Sequence, residues 1–462
     1  MIPTSTLSMT QSSHEMLKRH LFPGDGQEAA AVMICTRVPG ARQRLLVKSI
    51  IPVPYSACSR SESKITWSSE FIEQAIDFGQ ERCMALVLIH SHPGGFAEFS
   101  DVDDHSDLEI MPCLFAAYGD FHGSAIMLPN GFIFGRLYTS ELHILEIDLV
   151  SVIGEDLKFY WGNDKKRSAK RPMAFTSEMT FELSRMTAAV IGISGTGSVV
   201  AEQICRLGFG RVILIEYDTV EHKNLNRILN TTKADADKCL PKVHVFSDRA
   251  NQYRDEPYVV PVDANVLSRE AVLALAESDM IFSCVDKLRP RSVADLAVQS
   301  FLLPLFDVGV GISTRSLVNG DLTVDEVVGR IDYVYPDSSS LFDRNVYSSA
   351  NLQAEALLES DPKAHADQIC RGYIEGMPEQ APAVIALNMH AASACVMEFI
   401  ARSYPFRHEP NDNYVRTRFM LAEAFEEYTR ESEFTKRESP FIASGDEEPL
   451  LGLPILGKKE VN

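Results

Sequence analysis

His90, His92 and Asp103, within HSHPGGFAEFSDVD, have the residue types of a metal site. Side chains two residues apart on a strand project to one face, so His90 and His92 present both imidazoles together. Asp103 comes eleven residues after His92, far enough for a turn to bring its carboxylate back. Two imidazoles and a carboxylate leave the fourth position of a tetrahedral zinc open for water. Zinc lowers the pKa of such a water to about 7 and polarises a scissile carbonyl. That is the chemistry of amide hydrolysis. A general base must take the water proton, and Ser100, in the same turn, can donate to the oxyanion.

A second constellation points to the opposite chemistry. VIGISGTGS, residues 190–198, follows an apolar run and opens a helical one, the context in which backbone N–H groups cradle phosphate. Gly192, Gly195 and Gly197 let the backbone come close to phosphates, although Ser194 stands where a strict G-x-G-x-x-G has its middle glycine. Glu216 ends the next apolar run, where an acid bonds ribose hydroxyls. A glycine loop and an acid by themselves read as a dinucleotide site. Asp218, N-L-N-R at 224–227 and Lys242 at the end of DKCLPK do not belong to that pattern.

These residues need elements to hold them. A chain of 462 residues exceeds one ordinary core, so two or three domains are expected. With 45% hydrophobic and 23% charged residues it has a globular composition. The sequence contains no apolar run of 18 residues, which argues against a membrane span. The N-terminus lacks a secretory apolar core, so a cytoplasmic protein is expected. The net charge of −20 argues against non-specific nucleic-acid binding. The nine cysteines form no C-x-x-C pair, as expected of reduced thiols.

Apolar runs at 29–35, 44–53, 85–90 and 123–129, with a helical stretch near 67–81, predict a mixed α/β domain over 1–155. GEDLKFYWGNDKKRSAKRP breaks this patterning, so 156–172 reads as a linker. Over 173–462, runs at 188–194, 211–218, 258–264, 280–286 and 303–310 alternate with helical segments, the pattern of a doubly wound parallel sheet. An insertion at about 335–380, an apolar helix and a C-terminal strap complete the second domain.

H-S-H-P, six residues, then S-x-x-D resembles the JAMM (MPN-plus) metallo-isopeptidase motif. The resemblance implies His90, His92 and Asp103 as zinc ligands, Ser100 as oxyanion donor and Glu28, in HLFPGDGQEAAAVMIC, as general base. The segment from about 170 to 455 resembles the ThiF, MoeB and ubiquitin-activating superfamily through N-L-N-R, D-x-x-x-x-K and V-D-x-x-x-x-R. That resemblance implies a Rossmann-like domain in which a C-terminal carboxylate attacks the α-phosphorus of ATP and pyrophosphate leaves. Arg227 and Lys242 would hold the β and γ phosphates, Asn224 would orient phosphates or metal, and Asp286, with Arg291 behind it, would hold Mg²⁺.

Relatives that fuse the two modules often carry P-G-x-x-C-L-x-C where this chain reads YPDSSSLFDR, with Ser340 and Asp343 at the cysteine positions. A structural zinc or a thioester there is therefore not expected. An acyl group could pass to Ser338, Ser339 or Ser340, to Cys370 in the insertion, or to no side chain at all. The implied partner is a ubiquitin-like protein of a bacterial modification pathway, together with a conjugating-enzyme-like protein. A sulfur-carrier β-grasp protein is the alternative. Relatives of the second domain imply a homodimer.

Overall fold

The computed structural model describes residues 2–162, 171–365 and 384–458. In the first domain the strands are β1 (Ser5–Thr10), β2 (Ala30–Arg37), β3 (Gln43–Pro52), β4 (Cys58–Arg60), β5 (Ile65–Trp67) and β6 (Ala85–Ser91). They are followed by β7 (Phe121–Met127), β8 (Ile133–Thr139), β9 (Ile144–Glu146), β10 (Leu149–Ile153) and β11 (Leu157–Trp161). Nine of these form one mixed sheet in the order β11-β10-β1-β3-β2-β6-β7-β8-β9, and β4–β5 is a separate ribbon.

The continuous apolar runs of β2 and β6 reflect burial on both faces. Val32, Ile34, Leu86 and Leu88 pack against Ala75 of the helix Glu70–Gly79 and Met111 and Leu114 of the helix Asp101–Ala117. Ala31, Met33, Val87 and Ile89 face the other way, towards Leu17 and Leu21 of the helix Gln11–Leu21. By this alternation His90 continues the Leu86–Leu88 face and points towards the helix that carries Asp103.

The second domain contains β12 (Thr187–Ile191), β13 (Arg211–Ile215), β14 (Val259–Val262), β15 (Met280–Ser283) and β16 (Leu305–Ser316), all parallel, in the order β14-β13-β12-β15-β16. β17 (Leu322–Val334), β18 (Arg416–Met420) and β19 (Phe425–Thr429) extend this sheet antiparallel. Helices cover both faces: Gly195–Leu207 and Ile385–Ser403 on one, Arg269–Ala276 and Leu288–Phe301 on the other. The strand order reverses between β12 and β15, which opens a crevice at their carboxyl ends, the usual place for a nucleotide.

The expected α/β architecture is present in both domains. One expectation is corrected. Residues 157–161, read as the start of a linker, form the edge strand β11. Its residues Leu157 and Trp161 are buried in the core of the second domain, and the Trp161 indole donates to Glu182 at 3.0 Å. The insertion also begins as packed structure. Asp295, buried in the helix Leu288–Phe301, accepts the Leu341 and Phe342 N–H groups and the Tyr347 hydroxyl, and the helix Ser349–Ser360 follows.

The C-terminal strap lies against both domains. Its Ala443 N–H donates to Gln299 O of the second domain, and its Ala443 carbonyl accepts the Thr36 hydroxyl of the first. Arg44 of β3 is buried against the second domain, donating to the Ser278 and Phe301 carbonyls. Charge pairing joins the domains at Arg42 and Asp279, 2.7 Å apart.

Candidate functional sites

At the end of β6, His90 Nε2 lies 3.1 Å from His92 Nε2 and 3.2 Å from Asp103 Oδ1, and His92 Nε2 lies 3.7 Å from Asp103 Oδ2. All three potential ligand atoms fall within 4.8 Å of one another. His92 Nδ1 is 2.8 Å from the Phe96 carbonyl, which can only accept. Nδ1 therefore carries the proton, and the Nε2 lone pair is left for a metal, the carbonyl fixing both the tautomer and the orientation of the ring. The donor set fits zinc.

Asp103 is placed by the start of its helix. Ser100 is the N-cap, and both its N–H and its hydroxyl donate to Asp103 Oδ2 at 2.7 Å, while Ser100 Oγ accepts the Asp103 N–H. Burial works against ionisation of Asp103, but the neighbouring His90 and His92 imidazoles outweigh it and hold the group far below the usual carboxylate range. Ser100 has a single proton and gives it to Asp103, so it must reorient before it can serve an oxyanion.

Glu28 precedes β2 and is buried in the same cavity as His90 and Asp103. Burial raises its pKa, with the neighbouring histidines opposing the rise. Its backbone is clamped by the β4–β5 ribbon. The Arg60 guanidinium donates to Glu28 O at 2.6 Å, to Gln27 O at 3.1 Å and to Asp25 Oδ2 at 2.8 Å, and the Glu28 N–H donates to Ser61 O. Sequence reasoning missed Arg60. It lies 32 residues from Glu28 on a different element, and no local pattern marks it.

The glycine loop joins β12 to the helix Gly195–Leu207. Gly192 has φ +87°, a conformation that favours glycine. A Cβ on Gly197 would sit 2.8 Å from the Gly192 carbonyl carbon and closer still to its oxygen, so only hydrogen fits there. Gly195 faces Arg227, whose Cδ would be 3.2 Å from a Cβ at that position. Arg227 is held beside the loop by its own bond to Lys223 O at 2.9 Å. Buried Asn224 shapes this turn, accepting the Glu221 N–H through Oδ1 at 3.1 Å.

Glu216, just beyond β13, accepts the N–H groups of Ile193, Tyr217 and Asp218. Burial raises its pKa, and Lys242 draws it back. Lys242 is itself buried, 2.9 Å from Asp218 and 3.9 Å from Glu216. This puts Lys242 at the end of the crevice where Glu216 and Asp218 stand, and its reach to phosphate depends on exchanging Asp218 for the ligand.

Asp286 is exposed in the turn between β15 and the helix Leu288–Phe301. Arg291 does not reach outward from that helix. It is buried, donating to Val285 O and bonding Asp307 at 3.0 Å, and so fixes the turn from below. The insertion supplies a further support: Glu355 accepts the Leu288 and Arg289 N–H groups at 2.9 and 2.7 Å, capping that helix. A glutamate 66 or more residues away in sequence gives no local sign of this role.

The serines are occupied structurally. Ser340 Oγ donates to Asp343 at 2.9 Å and accepts the Asp343 N–H, capping the following turn. Ser338 donates to Tyr335 O, and buried Ser339 bonds Glu431 and Arg344. Cys370 lies outside the described residues.

Residues 168–413, more than half of the chain, match the model of the ThiF family. The chain belongs to the ThiF family. Residues 10–131 match the model of prokaryotic homologs of the JAB domain, so the ThiF domain follows a JAB domain. The chain is similar to ubiquitin-like modifier-activating enzyme 5 of Culex quinquefasciatus, 27% identical over 172 residues, covering 35% of this chain and 40% of that protein. For the same enzyme of Caenorhabditis elegans, identity is 26% over 167 residues, covering 34% and 36%. The chain thus spans about two fifths of the curated relatives it matches. The structure of E. coli MccB with ATP aligns with a TM-score of 0.41 and 16% identity, covering 58% of this chain and 68% of that one. Among the described residues no helix is long and apolar enough to cross a membrane.

Proposed function

We propose that the chain is a bifunctional enzyme of a bacterial ubiquitin-like modification pathway. The ThiF domain adenylates the C-terminus of a ubiquitin-like protein, and the JAB domain trims or deconjugates the same protein. The observation that carries the reading is the grouping of the Gly192–Gly197 loop, Glu216, Lys242 and Arg227 around the β12 and β13 ends. Phosphates seat on the uncapped N–H groups of the helix Gly195–Leu207, whose N-cap Ser194 makes no side-chain cap. Glu216 takes the ribose hydroxyls. The substrate carboxylate attacks the α-phosphorus, forming the acyl-adenylate as the bond to pyrophosphate breaks. Arg227 and Lys242 bear the charge that develops on the departing pyrophosphate. Asp286 would hold Mg²⁺, which neutralises phosphate charge when bound.

In the JAB domain His90, His92 and Asp103 would hold zinc, which when bound supplies an activated water and polarises the scissile carbonyl. Glu28, buried and raised in pKa, takes the water proton and passes it to the leaving amine. Water is consumed, and a carboxylate and an amine are released. Arg60 keeps Glu28 in place for both transfers.

The test is exchange of labelled pyrophosphate into ATP by the full chain, with Mg²⁺ and a co-encoded β-grasp protein ending in Gly-Gly. Exchange that depends on that protein is the expected result. No exchange with any co-encoded candidate would overturn the activation reading. The hydrogen bonds that engage Ser338, Ser339 and Ser340 support release of the adenylate to a partner, which keeps sulfur-carrier activation as a second reading. Formation of a thiocarboxylate in place of a conjugate would select it.

A further inference from the structure

Asn388 stands in the first turn of the helix Ile385–Ser403, among the core residues Leu387, Ala391 and Ala392, and is 2% exposed. A carboxamide buried in an apolar setting is costly unless it is hydrogen-bonded. Its partner is the phosphate loop. Asn388 Oδ1 accepts the Thr196 hydroxyl at 3.3 Å. A Cβ placed on Gly195 would overlap Asn388 Nδ2 and stand 3.3 Å from its Cγ, so the amide packs directly on the Gly195 backbone. Further along, Gln203 Nε2 donates to Ser393 Oγ at 2.9 Å, so a second polar rung ties the same two helices.

We propose that Asn388 is a positioning residue of the ATP site, which rests on the adenylation reading above. Two effects follow from its place. Its carboxamide sets the lateral position of the Gly195–Gly197 turn, whose N–H groups are the phosphate seat. It also holds the Thr196 side chain against the helix Ile385–Ser403, since the hydroxyl donates its proton to Oδ1, and so keeps it from turning onto the first-turn N–H groups that phosphate would use. The amide is suited to this place because it is neutral. A carboxylate of the same shape would keep the acceptor for Thr196 but set a negative charge against the triphosphate.

The experiment measures binding of Mg·ATP and of adenosine to the full-length protein by calorimetry. Asn388→Ala should weaken ATP about 5- to 20-fold, the loss of one neutral hydrogen bond and its packing. Asn388→Asp should weaken it on the order of 100-fold, as for an added charge a few ångströms away at an effective dielectric near 20. Both variants should hold adenosine within about twofold of the parent, since the ribose acid Glu216 is untouched. Gly195→Ala should also weaken ATP, and Asn388→Ala added to it should recover affinity to that of Asn388→Ala alone. ATP binding unchanged in both Asn388 variants, or equal loss of ATP and adenosine, would overturn the proposal while leaving the adenylation reading standing. A parent protein that binds no Mg·ATP would overturn the adenylation reading, and this proposal with it.

Discussion

Replacing Gly197 by alanine tests the phosphate loop most directly. The new Cβ would lie 2.8 Å from the Gly192 carbonyl carbon, closer still to its oxygen, and 3.2 Å from Cys284 Cβ. Non-bonded carbon atoms sit comfortably about 3.5–4.0 Å apart, so loop and helix must separate by roughly 1 Å. Neither neighbour is a flexible side-chain end, so the shift falls on the backbone proposed to receive phosphate. A misplacement of about 1 Å at a reacting centre costs about 100-fold in rate. Overpacking of this kind destabilises by about 1–3 kcal/mol, which leaves the domain folded. Pyrophosphate exchange by Gly197→Ala should therefore fall about 100-fold, with zinc content unchanged and the thermal transition lowered by only a few degrees. Exchange within about threefold of the parent would refute the assignment of Gly192–Gly197 as the phosphate loop.

Three further outcomes are expected. Asp103→Ala or His92→Ala should lower bound zinc, measured by atomic absorption after dialysis, from about one per chain to a small fraction, because two ligands hold zinc poorly; retention of the full complement would remove the site from consideration. Arg60→Ala should cut kcat for cleavage of a C-terminally extended precursor by about 10- to 100-fold at unchanged zinc content, and Arg60→Lys should recover part of it; an unchanged kcat would mean that Glu28 is held by other means. Burial raises Asp295 to about 6, against roughly 3.9 in the unfolded chain. The folded protein thus binds that proton more tightly. Its contribution is full below about pH 4, is lost as pH rises to about 6 and is flat above, a change of about 3 kcal/mol at most. Denaturant titrations at pH 4, 5, 6 and 7 should show that slope reduced in Asp295→Asn, and equal slopes would contradict it.

Local patterns in the chain were enough for much of this. H-x-H on an apolar strand must show both rings on one face, and S-x-x-D can place an acid in the first turn of a helix, so the grouping of His90, His92 and Asp103 is legible from local patterns, while their reading as zinc ligands comes from the JAMM resemblance. The runs that form β12, β13 and β15 are apolar except at one end, at Thr187, Arg211 and Ser283, because strands buried on both faces have no polar side. The glycine loop is likewise legible, since its constraint comes from residues a few positions apart.

What the chain could not disclose is whatever depends on partners distant in sequence. β11 reads as part of a linker because the Gly, Asn, Asp and cationic cluster around it break the apolar pattern, and it is pairing with β10, with Leu157 and Trp161 buried in the second core, that makes it a strand. The serines stand in sequence only as one alternative for an acyl acceptor, and their hydrogen bonds to Asp343, Glu431 and Arg344 come from residues that no local pattern connects to that role. Arg60, Glu355 and Asn388 support sites built from residues on other elements, in the case of Asn388 and Thr196 192 positions away. Side-chain period and capping act within a few residues, so sequence marks the candidate residues for the chemistry. Positioning is done by hydrogen bonds between elements, and those exist only once the sheets and helices have packed.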